Sequence, residues 1–146
     1  MSTSALGTVL DALCAGWAAR PGMSGVNVFT GPVTVEEAGL ECIALGDAEL
    51  TEVVAAMGGS RQESWDVQGE LRVIKPWQGD TETTIAATRD RSLELFAEIE
   101  TYINDTYLGE LPDVEIVSGE MRPDFNPDGR ACSLLFTLTI MTIKNP

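Results

Sequence analysis

The sequence contains no histidine. Histidine is the usual general base near neutral pH, a frequent metal ligand, and the partner of serine or cysteine in many nucleophilic sites. Catalysis by two carboxylates remains open. The candidates by residue type are Glu36 with Glu37, and Glu49 with Glu52. Nothing in their spacing distinguishes them among 23 acidic residues, so we predict that the protein is not an enzyme and uses no cofactor.

Cysteine is also scarce, since only Cys14, Cys42 and Cys132 occur, each in an apolar segment. An odd number of isolated cysteines fits neither a disulfide framework nor a zinc site. We therefore predict three reduced core cysteines. Residues 124–129 imitate the start of a calcium-binding loop, but its twelfth position would be Leu135 instead of glutamate, so we interpret them as a turn.

Basic residues number only 9 against 23 acidic ones, which gives a formal net charge of -14. A surface of this charge does not neutralise DNA phosphates, so tight nucleic-acid binding is disfavoured. Two interpretations stay open. The charge serves solubility alone, or it lines a passage through which DNA slides without sticking.

Long apolar runs are absent as well. No segment approaches the roughly 20 apolar residues of a membrane span, and the first residues lack the pattern of a signal peptide. We expect no membrane partner. A chain of 146 residues with 44% hydrophobic residues is typical of one globular domain, which we place at residues 1–146.

Two segments show the apolar spacing of amphipathic helices, residues 4–20 and residues 83–102. For the second helix we expect a buried stripe of Ile85, Leu93, Phe96, Ile99 and Ile103. Strand patterns occur at residues 25–29, 40–45, 65–73, 114–118 and 131–144. Residues 47–62 have no clear period, although 48–57 are compatible with a short helix, and we predict a flexible loop there.

This order of elements predicts an α+β fold, with a mainly antiparallel sheet of about four to five strands packed against two helices. The last strand has a continuous apolar row from Cys132 to Ile140 on one face, which belongs to the core. Its other face alternates mildly polar and apolar residues, and we expect a helix or a neighbouring subunit to cover it.

Several short motifs follow one another in a recognisable order. They are ECIALGD at 41–47, RQESWDVQG at 61–69, RDRSLELF at 89–96, NDTYLG at 104–109 and DGRA at 128–131. A strand ending in glycine, a variable loop, a strand led by arginine and glutamate, an arginine-bearing helix and a terminal strand occur in this order in one family. Over nearly its whole length the chain resembles the tail terminator, or tail completion, proteins of long-tailed bacteriophages.

The resemblance implies a virion structural protein. In this family six copies form a ring on the finished tail tube, stop its polymerisation and join the tail to the head. A homohexamer located in the virion tail or neck, after assembly in the host cytoplasm, is thus implied. The implied partners are the tail tube protein and the head-tail connector or stopper protein, with DNA passing through the lumen without specific binding.

The contact residues are chosen on residue type and position. We predict that Trp65 and Trp77 contact neighbouring subunits, although core tryptophan is the commoner use. We also predict that the loop at 47–62 is an arm that touches a neighbour or the tube. Its predicted contact residues are Asp47, Glu49, Glu52, Met57 and Arg61.

Three other functions stay open. A neck protein or tail tube subunit of the same virion has a related fold. A small-ligand or peptide-binding module would line a groove with the apolar sheet face and the tryptophans. A carboxylate-dependent hydrolase requires a distinguished pair of acids, which this sequence does not show.

Overall fold

The computed structural model describes residues 4–55, 57–107, 109 and 111–144, without the side chain of Met57. The elements, in chain order, are α1 (Leu6–Ala18), a 3-10 turn (Pro21–Met23), β1 (Asn27–Phe29), α2 (Val35–Ala38), β2 (Glu41–Ala55), a 3-10 turn (Met57–Gly59), β3 (Arg61–Pro76), α3 (Thr81–Tyr107), β4 (Asp113–Asn126) and β5 (Gly129–Lys144).

The strands form one five-stranded sheet in the order β1-β2-β3-β5-β4. Among the described strands, the β1–β2 pair is parallel and the other pairs are antiparallel. The central strands β3 and β5 pair along their full length, from Arg61 opposite Lys144 to Pro76 opposite Gly129. The predicted α+β fold with a mainly antiparallel sheet is therefore confirmed, including the hairpin that turns at residues 126–129.

Helices α1 and α3 cover one face of the sheet, which we call the helix face, and the core lies between them and the strands. The apolar row predicted for β5 is buried on this face. Two ion pairs connect α3 to its neighbours. Arg20, which follows α1, has its Nε 2.6 Å from Glu98 Oε2. Arg91 donates to both oxygens of Glu41 in β2, at 2.6 and 3.1 Å. The hydrogen bonds that Arg91 donates to Glu41 are the main cause of the raised pKa of Arg91, so this guanidinium stays charged where it joins α3 to β2.

The opposite face, which we call the open face, carries hydroxyl and amide side chains on its central strands. Thr139 Oγ1 donates to Asp66 Oδ1 at 2.9 Å, and Thr137 Oγ1 donates to Gln68 Oε1 at 3.1 Å. These residues face each other across β3 and β5. Helix α2 lies over part of this face, across a groove that Gln68 and Leu135 also line, and cover by a neighbouring subunit stays a prediction.

The buried stripe of α3 differs from the predicted one. Ile99 and Ile103 are buried as expected, whereas Leu93 is 48% exposed. The N-terminal half of the helix instead buries Thr84, Thr88 and Ser92. The hydroxyls of Thr88 and Ser92 donate to the carbonyl oxygens four residues earlier at 2.7 and 2.9 Å. Because each hydroxyl is satisfied within the helix, these polar residues can be buried at little cost.

The prediction of a loop at residues 47–62 is wrong as regards secondary structure. Strand β2 continues to Ala55, and β3 begins at Arg61, so that the segment is the outer part of a β-hairpin. Two register shifts in β2, at Leu45/Ala48 and Leu50/Glu52, break the alternation of apolar and polar residues. Because bulges remove the period of two, the sequence pattern did not show the strand. The mobility of this segment stays a prediction.

Gly69 provides the first test of the core. It faces Phe136 across β3 and β5, and a Cβ atom at Gly69 would overlap the ring of Phe136. That ring is fixed by Trp17 and Phe96, with centroids 6.4 and 6.0 Å away. We therefore expect Gly69→Ala to lower the free energy of unfolding in urea by about 1–3 kcal/mol.

The matched control is Gly119→Ala in β4, where the nearest atom to a new Cβ would be Leu135 O at 3.8 Å. This substitution should be neutral or stabilise by up to about 1 kcal/mol, because it restricts the unfolded chain. Equal unfolding curves for the two variants would contradict the packing argument.

Candidate interaction surfaces

The outer part of the β2–β3 hairpin, residues 46–55, 57–59 and 61–66, is the first candidate surface, and we call it the arm. Strand β1 pairs only with residues 42–44 of β2. In the described chain the edge of β2 beyond Ala44 therefore has no partner strand. Two register shifts and the carboxylates Asp47, Glu49 and Glu52 lie along this edge, and such features hinder unspecific strand pairing.

The arm exposes apolar side chains on both faces. Leu50 and Val53 are 42% and 45% exposed on the helix face, and Val54 is 45% exposed on the open face. Ile143 of β5, which is 41% exposed, lies on the same open face across Gln62. An isolated exposed apolar residue needs no explanation, but a group of them on an extended hairpin is typical of an interaction surface.

Glu49 and Glu52 complete the open face of the arm. They lie opposite Asp66 and Ser64 of β3, and both are exposed. Thr51 Oγ1 donates to Ser64 O at 3.1 Å, which ties the irregular part of β2 to its neighbour. The arm's open face thus combines two carboxylates with Val54 and the adjacent Ile143.

The helix face of the arm, together with the facing residue of β5, buries polar atoms without described partners. Glu63 is 6% and Thr142 is 1% exposed, and they face each other across β3 and β5. Neither Glu63 Oε1 nor Thr142 Oγ1 has a hydrogen-bond partner among the described residues, nor does the indole nitrogen of the half-buried Trp65. Sequence reasoning missed Glu63, although its alternation with Trp65 and Val67 indicated that it faces the helices.

The second surface lies at the other end of the central strands and consists of Trp77, Phe125 and Arg130, which we call the aromatic cluster. The guanidinium carbon of Arg130 lies 4.7 Å from the centroid of Trp77 and 5.2 Å from that of Phe125. Phe125 is 81% and Trp77 47% exposed. Each cation–π contact of this kind contributes about 0.5–1 kcal/mol at an exposed site. The two contacts therefore stabilise the arrangement of the three side chains.

Arg130 has no carboxylate within ion-pair distance in the part of the chain that the structure describes. Its only described side-chain hydrogen bond goes from Nη1 to Gly129 O, at 2.9 Å. Sequence reasoning missed Arg130 and Phe125. Phe125 lies at 124–129, which the sequence analysis interpreted as a turn, and no contact was predicted for its side chain.

The predicted contact residues fall into two groups. Asp47, Glu49, Glu52 and Arg61 lie together on the arm, and Arg61 pairs with Ala55 at its far end; the side chain of Met57 lies outside the described residues. Trp65 packs against the core at the root of the arm. Trp77 follows β3 at the opposite end, which places the two tryptophans roughly 40 Å apart. They do not form one site.

A groove of about 370 Å³ separates the α2 segment from the open face of the sheet. Helix α2 begins with a capping box, in which Thr34 and Glu37 bind each other's backbone at 3.0 and 3.2 Å. The side chains lining the groove include Val33, Val35, Cys42, Gln68, Arg72 and Leu135. Arg72 Nε is buried there without a described partner.

The described residues show no activated nucleophile and no group of three or more metal-ligand side chains. The three cysteines are free and buried, as predicted. Burial, with a smaller effect from Asp11, raises the pKa of Cys14 to about 12. Burial also raises the pKa of Cys42. Both thiols are therefore protonated near neutral pH and poorly nucleophilic.

Comparison with known proteins gives no match to a family model and none to a curated protein. Among solved structures, the fold is similar to a chain of a structure described as "Virion of native gene transfer agent (GTA) particle", with a TM-score of 0.55 and 13% sequence identity. The match covers 93% of this chain and 96% of that chain. This chain therefore shares its fold with a component of a virion-like particle. None of the described helices is long and apolar enough to cross a membrane.

The Cys14 thiol and the Tyr107 phenol are buried and have raised pKa values. They predict that the protein loses stability at alkaline pH. Burial raises the pKa of Tyr107 to about 12, as it does that of Cys14. Between the ordinary pKa values of these groups and about 12, the unfolded state binds fewer protons than the folded state. The free energy of unfolding should therefore fall as pH rises through this window.

Urea unfolding at about pH 8 and about pH 10.5 measures this effect. Cys14→Ala should remove part of the difference between the two values, although a cavity lowers its stability at both. A free energy of unfolding that is equal at both pH values would contradict the assignment.

Proposed function

We propose that this protein is a virion structural protein of the tail terminator type. In this proposal, copies of the chain close into a homohexameric ring on the end of the tail tube and stop its growth. The ring then presents a face to the head-tail connector or stopper protein. The protein assembles in the host cytoplasm and remains in the tail or neck of the virion.

The observation that carries the proposal is the arm. It is a long hairpin with apolar side chains exposed on both faces and an unpaired strand edge. The other sheet edge, β4, also has only one neighbouring strand in the described chain. A chain whose two sheet edges both lack a partner can bind copies of itself through two different surfaces, and such contacts build rings when the rotation closes.

Two further features support this function. The fold is shared with a chain of a gene transfer agent particle, which is a virion-like assembly. The net charge of -14 suits a lumen through which DNA moves, because repulsion between acids and phosphates prevents binding. Solubility alone remains the other interpretation of the charge.

We further propose that the chain carries out no catalysis and needs no cofactor. The four carboxylates considered as candidates lie on α2 and the arm, where all are exposed. None of the four lines the groove beneath α2, so none is placed to act on a molecule bound there.

A ligand- or peptide-binding module is the second candidate, and the groove beneath α2 favours it. Its volume of about 370 Å³ falls within the range of small-molecule sites. Such a module would remain a monomer or dimer at high concentration, whereas the ring model requires a larger closed assembly.

The mass of the assembly separates a terminator from a tube or neck protein. We expect native mass spectrometry of the purified chain to give a single closed species of six copies. A tail tube subunit would instead form open polymers of variable length. A monomer at high protein concentration, with no binding to tail tubes, would contradict both functions.

The apolar residues of the arm provide the second test. The triple variant Leu50→Ser, Val53→Ser, Val54→Ser should lose the assembled species, because these exposed side chains are buried only between copies. Its thermal midpoint as a monomer should change little, since all three are exposed. In infected cells, the same variant should leave tails of abnormal length or heads without tails.

The control changes three apolar residues elsewhere that are more exposed than those of the arm: Val35→Ser, Leu40→Ser, Leu93→Ser. These positions are 72%, 62% and 48% exposed and lie on or near α2 and on α3. The control should assemble as the unmodified chain does. Normal assembly of the arm variant, or equal loss in the control, would speak against the arm as the contact.

A further inference from the structure

We propose that the aromatic cluster of one copy is the receptor for the open face of the arm of the next copy. The inference rests on the proposed function in so far as copies of the chain associate. It goes further by naming both mating surfaces and their chemistry. Glu49 and Glu52 of one copy bind Arg130 of its neighbour, while Val54 and Ile143 pack on the rings of Trp77 and Phe125.

The positions of the arm and the aromatic cluster on the sheet give the first support for this pairing. The arm lies where β3 begins and β5 ends, and the aromatic cluster lies where β3 ends and β5 begins. The two surfaces therefore occupy opposite ends of the same pair of strands. A contact between two different surfaces is heterologous, so each copy can receive one neighbour and be received by another. A ring needs this arrangement, whereas a twofold dimer does not.

The second support is the state of Arg130. Its guanidinium group is held against two aromatic rings, yet no carboxylate of its own chain lies within ion-pair distance in the described residues. A planar guanidinium with free donors fits a carboxylate in bidentate geometry, and the rings have already ordered it, which reduces the entropy lost on binding.

The third support is the composition of the arm's open face. Carboxylates and apolar side chains lie there side by side, and this is the complement of an arginine flanked by two exposed rings. Tryptophan and arginine in such an arrangement are typical centres of binding energy at protein interfaces. The helix face of the arm carries Leu50 and Val53 but no exposed carboxylate, so it matches the cluster less well.

Asp124, the acidic residue next to Phe125 in β4, does not oppose this docking. Phe125 and Arg130 are register partners on the helix face of the sheet, and Asp124 precedes Phe125 in β4. Because side chains alternate along a strand, Asp124 projects to the open face instead. Its Oδ1 accepts a hydrogen bond from the backbone of Phe125 at 2.7 Å, which stabilises the turn.

Charge reversal tests the pairing directly. Arg130→Glu alone should abolish assembly, because the cluster then repels the acidic arm. The double variant Glu49→Lys, Glu52→Lys should also abolish it, because its arm repels Arg130. When the two variants are mixed, each arm again meets a cluster of opposite charge. Native mass spectrometry should then show the full assembly, with both variants present in equal numbers.

The control is Arg89→Glu on α3, which makes the same charge change at an exposed position outside both surfaces. It should assemble normally. Circular dichroism and thermal melting establish that each variant is folded before mixing. A triple variant that carries all three reversals in one chain should assemble by itself.

The outcomes separate this inference from the proposed function. If the unmodified chain forms rings and Arg130→Glu does so equally well, the pairing is overturned and the ring function stands. If both single-surface variants are folded monomers but their mixture stays monomeric, the pairing is again overturned. If the unmodified chain itself does not assemble, the proposed function fails and this pairing fails with it.

Discussion

The full-length pairing of β3 with β5 is the constraint on which the rest of this structure depends. The two strands share their register from Arg61 opposite Lys144 to Pro76 opposite Gly129. Their helix face supplies much of the core beneath α3, and Gly69 lets the ring of Phe136 lie across the neighbouring strand. Because the strands are longer than the part that the helices bury, their ends project beyond the core. Both candidate surfaces are built on those ends.

The distribution of polar atoms follows from the same geometry. Within the core, buried hydroxyls on α3 are satisfied by the helix itself. On the helix face of the arm, by contrast, Glu63 Oε1 and Thr142 Oγ1 are buried without a described partner. A buried polar atom without a hydrogen bond costs stability.

The sequence predicted well those elements that a local motif or a regular alternation of side chains specifies. The strand around Val67 and Leu71 alternates regularly, and the hairpin turn at 126–129 has residues that adopt turn conformations readily. The arm was predicted as a loop because two bulges shift its register, and only its partner strand reveals that it is paired. The stripe of α3 was predicted from apolar residues alone, although the polar Thr88 and Ser92 face the sheet.

The sequence predicted the interaction surfaces less well than it predicted the fold. The sequence by itself determined the fold class, the buried free cysteines, the acidic charge and the placement of Glu49 and Glu52 in an irregular segment, because these depend on composition and short-range pattern. The strand pattern at 65–73 already placed Trp65 and Trp77 on either side of one strand, whereas only the tertiary structure decided that Trp77, Phe125 and Arg130 meet. Trp77 follows β3 whereas Arg130 begins β5. Contacts between residues so distant along the chain arise from strand pairing, and no local pattern of side chains encodes which strands pair.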